Sequence, residues 1–414
     1  MAALNWILSL GAAVMLPIII FVFGLIMGAG LSKSFRSGVT IGIGFTGINL
    51  VINLLTSELG PAAQAMTKRL GLNLKIIDIG WPAMSSISWA WVAAGLMIPI
   101  VLIINFIMLS LKLTKTMDVD IWNFWQFSFI GAAVTATSGS VVMGIVAASV
   151  AAIIALLLAD YTQPYVENYF GMPGISFPHL TALGFLPIVI PLNWLLNHIP
   201  GINRLNANPE TIRKKFGIFG EPMAMGLIIG IALGILGGLD AASILKLGIA
   251  MAAVMYLMPK MVAVLMEGLI PISEAAREFM AKHFGDRQIF IGLDAAVSLG
   301  EPSVIAVGLL LVPITIFLAI ILPGNQILPF ADLAVIPFLV CLITAMSKGN
   351  VIHSLIIGTV VMALVLLFAT NLSPAETKMA LTAGVTIPEG ASQIGNLDRA
   401  NFITWIIVKL FSLF

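Results

Sequence analysis

Residues 121–159 read IWNFWQFSFIGAAVTATSGSVVMGIVAASVAAIIALLLA, without one charged side chain. A helix needs about 20 apolar residues to cross a bilayer. This stretch is too long for one upright helix, so it must be tilted, broken or made of two segments. Other uncharged runs cover 1–32, 37–57, 79–111, 168–203, 222–239, 302–331 and 349–375, with shorter ones at 247–259 and 333–347. The first run is too long for a signal-peptide core and reads as a retained first span. Alternation of the membrane-barrel type is absent. The expected fold is an all-α polytopic membrane protein of about 10–12 transmembrane or re-entrant helices.

The bulk composition agrees. Of 414 residues, 60% are hydrophobic and 9% charged, and the mean hydropathy is +1.08. A soluble fold of this length needs more charged surface. That excludes a soluble enzyme and a disordered chain. Lys and Arg (20) nearly cancel Asp and Glu (19), so no basic field exists to hold nucleic acid. The single cysteine, Cys341, excludes an internal disulfide, a cysteine zinc site and an iron–sulfur cluster, and reads as a small core hydrophobe. Prolines such as Pro82, Pro178, Pro191, Pro313 and Pro337 sit inside apolar runs. In membrane helices they free backbone groups, which transporters use to build polar sites. Close helix packing by small residues is the competing reading.

Comparison of the chain with itself gives ordered matches. Ala12–Met15 recurs as Ala252–Met255, Ile43–Thr46 resembles Ile291–Asp294, and Ile98–Ile100 resembles Val312–Ile314. Ser138–Val141 resembles Lys348–Val351, and Trp194 falls on Trp405. The reading is a first transmembrane repeat over 1–200 and a second over 240–414, joined by a basic linker and connecting helix over 201–239. An insertion in the first copy near 56–80 reconciles the offsets. The segment 203–217 carries Arg204, Arg213, Lys214 and Lys215 against Glu210, which places it in the cytoplasm.

Charges in apolar context are costly and need a reason. Asp294 and Glu301 are seven residues apart, so a continuous helix would put both carboxylates on one face. They are read as substrate or coupling groups, or as helix caps. Glu221 repeats the Gly-Glu-Pro pattern of Glu301 and can cap a helix start. His179 follows Phe177-Pro178 and is either a site residue or a satisfied structural histidine; His353 is read as structural. Two polar clusters interrupt apolar runs: Thr46-Gly47-Ile48-Asn49, and Thr135–Ser140 with Ser138-Gly139. The second matches Lys348-Gly349-Asn350 in the other half. Such uncharged donors and acceptors suit a neutral polyhydroxylated ligand, or hydrogen bonds between helices. No Walker loop, dinucleotide fingerprint or zinc-type spacing occurs, so no cofactor or metal is expected.

Several longer stretches resemble one family. They are Gly42–Ile48, Gly60–Ala63, Asp78–Pro82, Val119–Asn123, Phe219–Pro222, Ile291–Asp294 and Pro323–Asp332. Together they look like the galactitol-type enzyme IIC of the bacterial phosphoenolpyruvate-dependent sugar phosphotransferase system, in the ascorbate–galactitol superfamily. The resemblance implies a multi-pass inner-membrane permease for a hexitol. It implies partners: cytoplasmic IIA and IIB chains, the IIB phosphocysteine phosphorylating the polyol held by IIC. This chain then carries no phosphorylation site of its own. It further implies a homodimer with inverted repeats and an elevator motion of a core domain against a dimerising scaffold. The substrate-binding residues it implies are Thr46, Asn49, Ser138, Gly139, His179, Asp294, Glu301, Gly349 and Asn350. A proton-coupled secondary transporter of a polyol or sugar, with Asp294 or Glu301 as the protonatable group, is the alternative.

Overall fold

The computed structural model describes residues 12–69, 71, 75–120, 124–205, 207, 222–284, 288–329, 331–385, 387 and 392–413. The chain is mostly helical. In the first part come α1 (Ala12–Ile26), α2 (Leu31–Arg69), α3 (Gly80–Trp89), α4 (Ala94–Ser110), α5 (Trp125–Ser138), α6 (Val141–Phe170), the single turn α7 (Leu180–Leu183) and α8 (Leu186–His198). Then follow α9 (Pro222–Gly237), α10 (Ala241–Phe284), α11 (Pro302–Ile321), α12 (Ile336–Met346), α13 (Val351–Thr382) and α14 (Phe402–Phe411). Three of these, α6, α11 and α13, are long and apolar enough to cross a membrane. The pair α3 and α4, bent by 85° at the break between them, is a fourth span, and a broken one, if the two are taken together, and a re-entrant loop otherwise. The shorter apolar pieces, α9, α14, the start of α10 and the segment 331–346, are what a count of ten to twelve would have to include.

The 39-residue uncharged run resolves into two helices. α5 ends where Gly139 takes a left-handed φ of 77°, and Ser140 caps α6 by accepting a hydrogen bond from the Met143 N–H. The corresponding break between α12 and α13 uses Gly349 at φ 76°, with Asn350 as the cap. Glycine fits both turns because a Cβ is disfavoured at positive φ. α6 buries Ala147, Ala148, Ala151, Ala152, Ala155 and Ala159, a stripe of small side chains that lets neighbouring backbones approach closely. Large apolar side chains such as Phe106, Val142, Ile249 and Phe317 face outward, as a lipid-facing surface requires.

Two groupings of helices emerge. The two longest, α2 (39 residues) and α10 (44 residues), pack along each other and against α1 and α9. α9 crosses α10 so closely that a Cβ on Gly230 would lie 2.7 Å from the Gly248 Cα. The other helices surround two small parallel sheets that an all-helical reading does not contain. Their strands are β1 (Ile76–Asp78), β2 (Thr116–Asp118), β3 (Ile175–Ser176), β4 (Phe290–Gly292), β5 (Ile327–Leu328) and β6 (Gln393–Gly395). The strand orders are β5-β1-β6 and β2-β4-β3. Ile76 pairs with Ile327 on one side and Gln393 on the other, while Ile291 pairs with Met117 and Ile175. Each sheet therefore takes its central strand from one part of the chain and both flanking strands from the other. The strands satisfy one another's backbone groups where the chain is not helical.

The structure corrects part of the internal alignment. Residues 43–46 lie within α2, whereas 291–294 form β4 and the turn after it. Those four-residue stretches do not correspond. The later pairs fall in elements of the same kind: Ile98–Ile100 and Val312–Ile314 lie inside α4 and α11, and Ser138–Val141 and Lys348–Val351 both form helix breaks. α2 and α10 are similar in length, 39 and 44 residues. The early matches misled because short runs of Ala, Val, Ile and Gly recur by chance in apolar sequence.

Candidate functional site

Asp294 and Glu301 do not share a helix face. Pro302 opens α11 and holds the preceding Glu301 in an extended conformation (φ −77°, ψ 125°), as the residue before proline prefers. Asp294 is also extended (φ −61°, ψ 141°) and caps a 3-10 turn over Ala295–Ser298. The two carboxylates consequently serve separate neighbourhoods.

Asp294 leaves β4 into the break that holds His179. Its Oδ1 accepts the Ala296 N–H at 2.9 Å and lies 3.5 Å from His179 Nε2. Its own N–H donates to Asp120 Oδ2 at 3.1 Å. Asp120 in turn donates its N–H to Asp118 Oδ1 at 3.2 Å. Behind this chain of carboxylates, Asn105 spans β2, accepting the Asp118 N–H at 3.0 Å and donating to the Thr116 carbonyl at 2.8 Å. Thr116 Oγ1 donates to Asp160 Oδ1 at 2.8 Å and meets Ser176 Oγ at 2.9 Å. His179 is 6% exposed, faces the Phe338 ring at 6.1 Å, and its Nδ1 has no hydrogen-bond partner among the described residues. A buried imidazole with one nitrogen directed at a carboxylate and the other unpaired is equipped to exchange hydrogen bonds with a polar guest.

Glu301 caps α11, its Oε2 accepting the Ser303 N–H at 2.7 Å and the Val304 N–H at 3.0 Å. The break at Gly349 closes over the same spot. A Cβ on Gly349 would lie 2.8 Å from the Tyr169 hydroxyl and 3.3 Å from Ser303 Oγ. The structure thus brings Glu301 and Gly349 together and adds Tyr169 and Ser303. Asn350, next in the chain, turns elsewhere. Its Oδ1 caps α13 at Ile352 and His353 and accepts the Ala207 N–H at 3.4 Å, and its Nδ2 donates to the Leu205 carbonyl at 2.7 Å. His353 Nε2 meets the Ile202 carbonyl at 3.0 Å. Asn350 and His353 therefore anchor the segment that leads into the basic loop, of which 206 and 208–221, with Glu221, lie outside the described residues.

The other break lies apart from both groups. Ser138 Oγ donates to the Val134 carbonyl at 2.8 Å and accepts the Ser140 N–H at 3.2 Å, and Gly139 is exposed. Beside it Thr137 meets Ser412 at 2.7 Å, and Lys378 Nζ donates to the Ala136 carbonyl. Thr46 is exposed on α2, and none of the hydrogen bonds among the described residues ties it to His179. Asn49 lies on the same helix, its side chain outside the described residues.

A second buried polar cluster lies outside the site residues expected from sequence. Asp332 Oδ1 accepts the Trp81 N–H at 2.7 Å, and its Oδ2 accepts from Asn396 Nδ2 at 2.6 Å, the Leu397 N–H at 3.0 Å and the Asp398 N–H at 3.1 Å. Asp78 Oδ2 accepts the Asp332 N–H at 2.8 Å. Asp398 pairs with Arg399, which is fully buried, and Thr181 Oγ1 donates to Asp398 Oδ1 at 2.7 Å. Thr181 is two residues from His179, so the clusters adjoin. The signal was present: Asn396–Asn401 is a polar run, with Asp398 and Arg399, just ahead of the apolar α14.

Residues 6–390 match the family model described as the PTS system sugar-specific permease component. The chain is 38% identical over 410 residues to the PTS system galactitol-specific EIIC component of Escherichia coli K12, covering 99% of this chain and 90% of the relative. It is 40% identical over 409 residues to a putative permease IIC component of the same organism, covering 99% and 94%. With a family match along nearly the whole chain and apolar helices able to span a bilayer, this membrane protein belongs to the sugar-specific permease components of the PTS system.

Proposed function

We propose that the chain imports a galactitol-like polyol across the bacterial inner membrane while a cytoplasmic IIB partner, charged by IIA, phosphorylates it. The observation that carries this reading is the buried His179–Asp294 pair at a helix break, with His179 Nδ1 unpaired, in a chain of this family. A polyol hydroxyl both donates and accepts, so it suits a site offering carboxylate acceptors and nitrogen partners side by side. His179 and Asp294 form its centre. Glu301 and Gly349, with Tyr169 and Ser303, form its wall on the side of Asn350. Ser138 and Gly139 form the opening at the opposite end. Thr46 and Asn49 on α2 contact the substrate only when the two groups of helices shift.

The proposed organisation is two inverted halves. An order of helix, long helix, strand, helical segment, strand, broken helix pair and strand recurs from α1 to β3 and from α9 to β6, the helical segment being α3 with α4 in the first and a 3-10 turn with α11 in the second. In this scheme α9 is the counterpart of α1 and opens the second half, and the basic linker occupies 201–221. Two contacts support inversion. The C-terminal end of α6 (Tyr169) touches the break before α13, and the C-terminal end of α13 (Lys378) touches the break before α6. In this scheme counterpart helices run antiparallel. With the basic loop in the cytoplasm, the Gly349 break faces inward and the Gly139 break outward. The body around the two sheets is the carrier in an elevator motion, and α1, α2, α9 and α10 are the scaffold on which a homodimer forms.

Proton-coupled transport is the second reading. It is favoured by Glu376, fully buried near Asp78 and Asp332 where Arg399 is the one buried lysine or arginine among the described residues. The test of the main reading is galactitol binding to the full chain in nanodiscs. Wild type is expected to bind, and Asp294→Asn to insert normally and lose at least tenfold in affinity. Unchanged affinity would remove Asp294 from the site.

A further inference from the structure

Among the described residues, three buried nitrogens without a hydrogen-bond partner belong to the tripeptide His179-Leu180-Thr181 or to side chains bonded to it. One is His179 Nδ1. The second is Gln126 Nε2: the Oε1 of the same amide accepts the Leu180 N–H at 2.8 Å, which fixes the side chain and leaves its donor unused. The third is Arg399 Nη1. The rest of that guanidinium is held firmly. Nε and Nη2 both reach Asp398 Oδ2 at 2.9 Å, Nη2 also donates to Thr181 Oγ1, and the Trp125 ring lies 4.7 Å from Cζ. Neutralising Asp398 uses only Nε and Nη2. A buried donor left unpaired is destabilising, and more so on a charged group. In a membrane body an ionisable side chain is rare unless it serves a function.

We propose that Arg399 and Gln126 are substrate-contacting residues that donate hydrogen bonds to hydroxyl oxygens of the bound polyol. This rests on the polyol reading above and extends the site beyond His179 and Asp294. Asp398, Thr181 and Trp125 act as positioning residues, because they fix the guanidinium plane and aim its remaining edge. The arrangement divides the recognition of a hydroxyl. Arg399 and Gln126 supply donors, and the carboxylate side at Asp294 supplies acceptors. Sites built to hydrogen-bond a hydroxyl discriminate strongly against an analogue lacking it, because their own polar groups are then left unpaired.

The test uses the full chain in nanodiscs, with calorimetric binding of galactitol and of its monodeoxy analogues. Thermal unfolding is followed in parallel. Wild type is expected to bind galactitol and to bind at least one deoxy analogue tenfold more weakly or worse. Arg399→Lys keeps the charge opposite Asp398 and removes the planar fork. Gln126→Glu keeps the acceptor for Leu180 and removes the donor. Each is expected to weaken galactitol binding at least tenfold and to erase the penalty for one particular deoxy analogue to within twofold. Loss of affinity by one common factor for galactitol and every analogue would overturn the proposal, as would wild-type discrimination in both variants. If Arg399→Lys does not fold, Gln126→Glu alone decides. Failure of wild type to bind galactitol would overturn the polyol reading and this proposal with it, which separates the two failures.

Discussion

His179 Nε2 lies 3.5 Å from Asp294 Oδ1, joining a break in the first part of the chain to the turn after β4 in the second. The pair is possible because β4 runs between β2 and β3, which places 294 beside 179. If the two side chains act on the substrate together, their replacements will not add. His179→Gln and Asp294→Asn are each expected to reduce polyol uptake at least tenfold. The double variant is expected to lose little more than either alone, a coupling of about 1–3 kcal/mol. Uptake rates in cells with matched membrane levels measure it, and strict additivity would show that the residues act independently.

Glu301 has a structural duty that can be separated from any role toward substrate. Its Oε2 caps α11, and removing such a cap costs about 0.5–2 kcal/mol. Glu301→Ala is expected to lower thermal stability, whereas Glu301→Gln keeps an oxygen for the cap and is expected to lower it less. An uptake loss in Glu301→Gln as deep as in Glu301→Ala then belongs to the charge. If uptake follows stability across the two variants, Glu301 is a cap alone.

The two glycine breaks should respond differently to alanine. Both hold positive φ, which costs a side chain about 1–2 kcal/mol. At Gly139 a Cβ meets nothing within 4 Å, while at Gly349 it meets the Tyr169 hydroxyl at 2.8 Å. Gly349→Ala is therefore expected to destabilise more than Gly139→Ala, and Tyr169→Phe to restore part of the difference. Equal effects at the two positions, measured by thermal unfolding, would contradict the packing described at Gly349.

How much of this was legible in sequence follows from the range of each interaction. The membrane class was legible because the bilayer acts on composition. The helix breaks at 138–140 and 348–350 were legible because glycine and small polar residues interrupt long apolar runs. The separation of Asp294 from Glu301 was missed although Pro302 announced it, since the residue before proline leaves the helical region. The strands were not legible at all. They are two or three residues long, too short for any alternation, and their partners lie far away in the chain. Arg399 escaped for a related reason: its partners Thr181 and Trp125 lie far earlier in the chain.

Asp332 is expected to be the most sensitive polar position for folding. Its carboxylate accepts hydrogen bonds from Trp81, Asn396, Leu397 and Asp398, tying the start of α3 to the turn after β6. Asp332→Asn sets an NH2 group against donors, and hydrogen bonds to a charged acceptor are worth about 1.5–3 kcal/mol each. The variant is expected to be recovered from membranes at a small fraction of the wild-type level. Recovery and unfolding temperature matching wild type would show that the cluster does not hold the sheet in place.

Transport and phosphorylation are proposed to be one process in this permease. The most direct measurement is the chemical form of radiolabelled galactitol accumulated by inside-out-corrected membrane vesicles containing this chain, with and without phosphoenolpyruvate, the general phosphotransferase proteins, IIA and IIB. Accumulation only with the complete set, and recovery of the label as polyol phosphate, is the expected result. Accumulation of unmodified galactitol without phosphoenolpyruvate or IIB, driven by a proton gradient, would contradict it.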